Sequence, residues 1–308
     1  MSRLAMSPES QGLHIDPRLL QSLKGIPLKS RMLVRGMYNN RHRTSDFGAS
    51  NEFIDHRDYQ RGDAIRSVDW RVFARTDRFY VKRYEMEANM RVQFLLDTSD
   101  SMRVPPPAGL PSKLDLGAVL VGAAATLVIF QQDAAGLCFL GDKVEERIPA
   151  RQGMDHLAQL YQHLERPRGK GGGNFGALVA QVTGHLRVRG MVFAVTDALD
   201  DLPPLFDALK SLAARQHDVT LFQVLDKDEL EFPYDRLTEF RHPERNAKVV
   251  GDPIALRGRY LTRLHEHLAA IEDFCKRTRI DYLRLHNGED LVALLRSHFL
   301  KRLARRMR

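Results

Sequence analysis

Cysteine is nearly absent from this chain: Cys138 and Cys275 are the two thiols among 308 residues, and they stand far apart. That leaves no zinc-ligand spacing and no disulfide framework, so both read as buried or half-buried thiols of a reducing compartment. An apolar signal core is missing after Met1, where polar sequence follows within a few residues. Long hydrophobic runs are missing too. The longest, residues 118–130, is too short to cross a bilayer and has Asp115 and Asp133 close on either side. A soluble, cytoplasmic protein is the expectation. Catalytic signatures are equally scarce. There is no nucleophile elbow and no His-Glu-x-x-His, and His156, His163, His185 and His217 are scattered in or near helical patterns, where single histidines more often pack than catalyse. Neither an internal repeat nor a low-complexity tract interrupts the chain.

What is present fits a globular protein. The hydrophobic fraction of 43% is ordinary and allows a sizeable core without staples. The length allows one large domain or two modest ones. A formal charge of +8 points towards acidic partners, acidic lipid surfaces or nucleic acid, without choosing among them.

The first fifty residues are weakly patterned. Residues 16–25 read as a short helix with Asp16 as N-cap, Pro17 in the first turn and Gly25 at the end. Residues 29–43 are basic and poor in acids, and read as a solvated loop. From residue 51 the character changes: charges of both signs mix with aromatics, including the single tryptophan, Trp70. Paired charges of mixed sign usually satisfy each other, so this block reads as an ion-pair network docking a leader, residues 1–88, onto a following domain, residues 89–308. A binding surface is the alternative. Residues 79–87 have the aromatic and β-branched content of a strand.

From residue 91 onward, buried strands alternate with helices. Strands are expected at 91–96, 135–141, 191–197, 218–225 and 280–285, with a short antiparallel edge at 144–148. Helices are expected at 113–132, apolar almost all round and so deeply buried, and at 154–164, 175–186, 205–215 and 253–278. Residues 229–250 form a polar, β-like excursion. The order predicts an α/β fold with a doubly wound, mostly parallel sheet, preceded by an N-terminal polar and β leader. A terminal helix starting near Glu289 carries Arg296, Lys301, Arg302, Arg305, Arg306 and Arg308. It is either a packed helix with a solvated basic end or a contact for phosphate or a membrane surface.

The segment that organises the chain is the strand 91–96 and the loop after it, where Asp97, Ser99 and Ser101 place oxygen-bearing side chains at alternating positions. Ligands gather at the carboxyl ends of strands in open parallel sheets, and hard oxygen donors there suit a Mg²⁺-like ion. The same residues also suit a helix cap and a closed turn. Asp197 ends a second apolar strand in the same manner. The glycine-rich loop 169–174 lacks the Walker spacing and reads as a turn that brings backbone close to the first loop.

These residues carry a resemblance. Asp97-Thr98-Ser99-Asp100-Ser101 resembles the Asp-x-Ser-x-Ser motif of von Willebrand factor A-like domains, and Thr196-Asp197 looks like the second acid of that site. The ordered block Arg57, Tyr59, Gly62, Asp63, Arg66, Asp69, Trp70, Ala74 and Arg75, followed by Lys82 and Glu85, resembles the signature of the bacterial "domain of unknown function fifty-eight" family. The resemblance implies a von Willebrand A-like domain with a metal-ion-dependent adhesion site. Ser99 and Ser101 would bind Mg²⁺ or a similar ion directly, and Asp97 and Asp197 mostly through waters. A threonine normally completes the set, but Gly173 stands in its place, with Asn174 one residue later as a substitute donor. The resemblance further implies a non-enzymatic adaptor or co-chaperone that partners a MoxR-type AAA+ ATPase. Two other readings stay open: a basic-tail binder of anionic surfaces or nucleic acid, and a metal-assisted hydrolase, which lacks a clear base.

Overall fold

The computed structural model describes residues 25–38, 53–60, 68–84, 90–166, 171–244, 247–293 and 295. They fall into two compact units, one drawn from residues 1–44 and 90–308, the other from residues 45–89. The expected leader ending at residue 88 is therefore divided, because its first described helix belongs with the α/β unit. Over residues 29–38 that helix, α1 (Ile26–Tyr38), also replaces the solvated loop expected at 29–43, of which residues 39–43 lie outside the described residues. Lys29 and Arg31 obscure a helical stripe in the sequence. Ser30, Leu33 and Val34 are buried, and the Ser30 hydroxyl donates to the Val119 carbonyl oxygen at 3.4 Å. The Ile26 N–H donates to Glu165 Oε1 at 2.8 Å. The helix expected at 16–25 lies outside the described residues, apart from Gly25.

The smaller unit pairs β1 (Phe53–Asp58) with β2 (Tyr80–Tyr84) in antiparallel register, Asp58 opposite Tyr80. Between them runs α2 (Trp70–Thr76). Asp69 is its N-cap, accepting the N–H groups of Arg71 and Val72 at 3.0 and 3.3 Å. That satisfies donors which the first helical turn leaves without partners.

The larger unit is built on a sheet of six strands. In chain order its elements are β3 (Arg91–Asp97), α3 (Lys113–Phe130), β4 (Ala134–Leu140), β5 (Val144–Arg151), α4 (Met154–Glu165), α5 (Phe175–Thr183), β6 (Met191–Thr196), α6 (Leu202–Ala214), β7 (Asp218–Leu225), α7 (Lys227–Glu231), β8 (Thr238–Arg241), β9 (Lys248–Gly251), α8 (Pro253–Thr278) and β10 (Asp281–His286). The sheet order is β10-β7-β6-β3-β4-β5; only β5 runs antiparallel, and β8 and β9 form a separate hairpin. Pleating sends Phe94 and Leu96 into a core with α1, α3 and α4, and Leu95 into a second core with α5, α6 and α8. Both faces are thus covered, which is why β3, β4 and β6 are apolar nearly throughout. As expected, α3 is buried on all sides. It is long and apolar enough to cross a membrane, but 78% of that stretch is buried inside the protein.

The order of strands positions the site. From β3 the chain moves to β4 on one side and later returns to β6 on the other. In open parallel sheets, that reversal of strand order is where ligands gather, at the carboxyl ends of the strands. Leu96 pairs with Val195, so Asp97 and Asp197 leave adjacent strands at nearly the same level. At the chain's far end Leu291, Val292 and Leu295 are buried in the first core, while the basic residues 296–308 lie outside the described residues. Leu33, on α1, is fully buried. Leu33→Ala should lower the unfolding free energy in a urea titration by about 2–4 kcal/mol. A helix merely resting on the surface would lose less than ~0.5 kcal/mol.

Candidate functional site

The loop after β3 is held by its own backbone. Asp97 is buried at 4% exposure; its Oδ1 accepts the Ser99 N–H at 3.0 Å and its Oδ2 the Thr196 hydroxyl at 2.6 Å. The Thr98 N–H continues the ladder to the Leu140 carbonyl oxygen at 2.8 Å, and the Arg103 guanidinium donates to the Thr98 carbonyl oxygen at 3.0 and 3.2 Å. Met102 then plugs the core beneath a single turn of tight helix, Asp100–Arg103. The Ser99 and Ser101 hydroxyl oxygens stand 3.0 Å apart. The glycine loop is tied on reciprocally: the Asp100 N–H donates to the Gly171 carbonyl oxygen at 3.0 Å and the Gly171 N–H to Asp100 Oδ2 at 2.9 Å. The expected approach of that loop to the first one is therefore found.

Three functional candidates escaped the sequence reading. Lys113, in the first turn of α3, is 1% exposed, and its ammonium lies 2.8 Å from Asp197 Oδ2 and 2.5 Å from Glu229 Oε1. Glu229 is braced in turn, because its Oε2 accepts the Asp226 N–H at 2.8 Å in a capping box that starts α7. The third is Glu244, whose Oε1 accepts the Ser101 N–H at 3.4 Å. Its carboxylate fills the space beside Gly172, where a Cβ would collide with it. One signal in the sequence did point to Lys113: a cation in the first turn opposes the helix dipole and calls for acidic company.

Burial governs the charges. It raises the Asp97 carboxyl to about 7, with the nearby negative charge of Asp197 adding to the rise and hydrogen bonds from Ser99 and Thr196 partly offsetting it. Burial alone would push the Lys113 ammonium down, but Asp197 and Glu229 outweigh it and hold the group above its ordinary value. Glu229 is raised, because its own burial exceeds what Lys113 returns. The ammonium therefore stays charged. Removing one partner of such a buried pair costs about 3–5 kcal/mol, because the other charge is left without a counterion.

The donor set can be compared with what a divalent ion requires. Two hydroxyls 3.0 Å apart match neighbouring ligands on an octahedral Mg²⁺ ion, and equally match a simple hydrogen bond. The remaining donors do not fit. A Cβ at Gly173 would lie 2.8 Å from the Gly141 carbonyl oxygen and 2.9 Å from that of Asp142, so the threonine position is closed by backbone. Asn174, proposed as its substitute, is the N-cap of α5, with Oδ1 accepting the Ala177 N–H at 2.9 Å. Asp97 has both oxygens engaged, and Asp197 holds Lys113. Among the described residues, no group of three His, Cys, Asp or Glu side chains forms a ligand set.

The described signature residues before β3 lie in the smaller unit. Asp69 caps α2, and Arg75 closes its last turn, where a cation suits the dipole. Trp70, 54% exposed, lies edge-on to Phe73 and Phe79, and the Tyr59 ring lies 6.2 Å from Phe79. Arg57 pairs with Val81 across the strands and Lys82 with His56. Gly62, Asp63, Arg66 and Glu85 lie outside the described residues.

Comparison with known proteins supplies a family. The family model described as "Protein of unknown function DUF58" matches residues 55–270. The chain is similar to the uncharacterized proteins Mb1516 of Mycobacterium bovis and Rv1480 of Mycobacterium tuberculosis, each 26% identical over 221 residues, which is 71% of this chain and 68% of theirs. Among solved structures, it is similar to the conserved hypothetical protein BatB from Bacteroides thetaiotaomicron, with a TM-score of 0.44 and 15% identity over 69% of this chain and 98% of that one. An aerotolerance-related membrane protein from Bacteroides fragilis gives a TM-score of 0.44 and 16% identity over 67% and 96%.

Two expectations follow from the site. The folded state holds the Asp97 proton up to about pH 7, against 3.8 for the ordinary carboxyl. The stabilisation it brings is complete below the lower value and is lost as pH rises through the higher one. Asp97→Asn should therefore gain melting temperature relative to the parent between pH 4 and pH 8; a constant difference across that range would refute the buried titration. Gly173→Thr should destabilise by about 1–3 kcal/mol in chemical denaturation, because backbone must move to admit it; an unchanged midpoint would mean that the loop yields freely.

Proposed function

The chain belongs to the DUF58 family of proteins of unknown function, and on that footing we propose that it is a non-enzymatic recognition module of the von Willebrand A-like, doubly wound kind. Its contact surface is the loop cluster at the carboxyl ends of β3 and β6. Three features support the reading: an Asp-x-Ser-x-Ser loop on a central strand, a second acid on the adjacent strand, and helices on both sheet faces. The supporting observation that carries most weight is Glu244. A carboxylate reaches the Ser101 N–H across 143 positions of sequence and lies in the space that Gly172 leaves open. The loop thus already receives an acidic side chain, and a partner's aspartate or glutamate can take the same donors in exchange.

Hydrolysis is the weaker reading. The acids of the site are bound to backbone, hydroxyl or ammonium groups, and a general base needs a lone pair free to reach a water. The resemblance of the signature block makes a MoxR-type AAA+ ATPase the first partner to try, with the chain acting in the cytoplasm as its adaptor during assembly or maturation of other proteins.

The test is retention of such an ATPase, taken from the same genome, on the immobilised full chain. Replacing Ser99 and Ser101 together by alanine removes the two hydroxyl donors beside the Ser101 N–H and should lower recovery about tenfold, the scale of a lost charge-assisted contact. Glu244→Ala should raise recovery by vacating the loop. Equal recovery from all three proteins would remove the loop cluster from the interface.

A further inference from the structure

Lys113 is the feature that neither the family motif nor the recognition reading absorbs. Its ammonium is sealed at 1% exposure, and one of its two counterions is Asp197, the acid that an adhesion-type site would place behind its ion. The second, Glu229, comes from α7, a helix of five residues whose capping box aims that carboxylate inward. The structure therefore contains a cation and a dedicated anion in addition to the motif residues. In the same loops, the donors a divalent ion requires besides the Ser99 and Ser101 hydroxyls are closed or engaged: Gly173 by the backbone of Gly141 and Asp142, Asn174 by α5, and Asp97 by Ser99 and Thr196.

We propose that Lys113 is the resident cation of this site, neutralising from within the chain the carboxylates that a divalent ion would otherwise neutralise, so that the loop cluster works without bound metal. An ammonium is a compact point charge with three donors, and two of these are spent on Asp197 and Glu229. It cannot dissociate from the protein, so the loop geometry does not depend on the divalent-ion concentration around it. Ion binding is measured on the chain alone, with no partner present, so failure of this proposal and failure of the recognition reading are separable.

The experiment is calorimetric titration of MgCl₂ and MnCl₂ into the full chain after chelation. The parent should show no saturable binding tighter than about 1 mM. Lys113→Ala vacates the position between Asp197 and Glu229, whose oxygens suit a hard cation, and should gain affinity at least about tenfold. That gain should disappear when Asp197→Asn is added. Stoichiometric binding to the parent that is lost in Ser99→Ala would overturn the proposal, and so would a folded Lys113→Ala that gains nothing. If Lys113→Ala does not fold alone, its circular dichroism in ~10 mM MgCl₂ is the reading. Recovery of the folded spectrum supports the substitution of one cation for the other, and its absence overturns it.

Discussion

An ammonium enclosed between two carboxylates sets the terms for everything around it. A charge so deeply buried persists only if each of its partners is itself fixed. The strand exits are arranged accordingly. Gln223 donates to the Asp197 carbonyl oxygen at 2.9 Å, and the Tyr260 hydroxyl to the Glu229 carbonyl oxygen at 2.9 Å. Asn287, just past β10, donates to Asp226 Oδ2 at 2.9 Å and to the Pro111 carbonyl oxygen at 3.1 Å, two residues ahead of Lys113. The exits of β6, β7 and β10 and the entry to α3 are thus joined by side chains that all serve one ion pair.

The excursion between β7 and α8 acquires a purpose in this light. It delivers Glu229 beneath the loop cluster and Glu244 against the β3 loop. Its own support is aromatic: the Phe232 ring lies 4.6 Å from Tyr260 on α8 and 5.5 Å from Phe240 on β8. Rings at these separations hold a short hairpin that has little other apolar contact. One insertion therefore supplies both the counterion of the buried lysine and the acidic side chain against the serine loop.

Much of the fold was legible because burial on both sheet faces writes itself as continuous apolar sequence, as in Phe94-Leu95-Leu96 and residues 191–196. The buried helix α3 was legible for the same reason. Helix α1 was not, because cations beside its buried stripe gave the segment a solvated appearance. In the site, Asp97, Ser99, Ser101 and Asp197 were visible as a local motif. Lys113, Glu229 and Glu244 were not, since their partners lie 84, 116 and 143 positions away. No window on the sequence holds such pairs; only the lysine's awkward place at a helix start hinted at company from elsewhere.

The contact of Gly173 with the Gly141–Asp142 backbone couples the glycine loop to the turn between β4 and β5. A threonine there would require the β4–β5 turn and the glycine loop to retreat together. Each loop moved alone would lose the contacts of the other. The two loops therefore move as one body, and a side chain added at Gly173 is felt at the turn between β4 and β5.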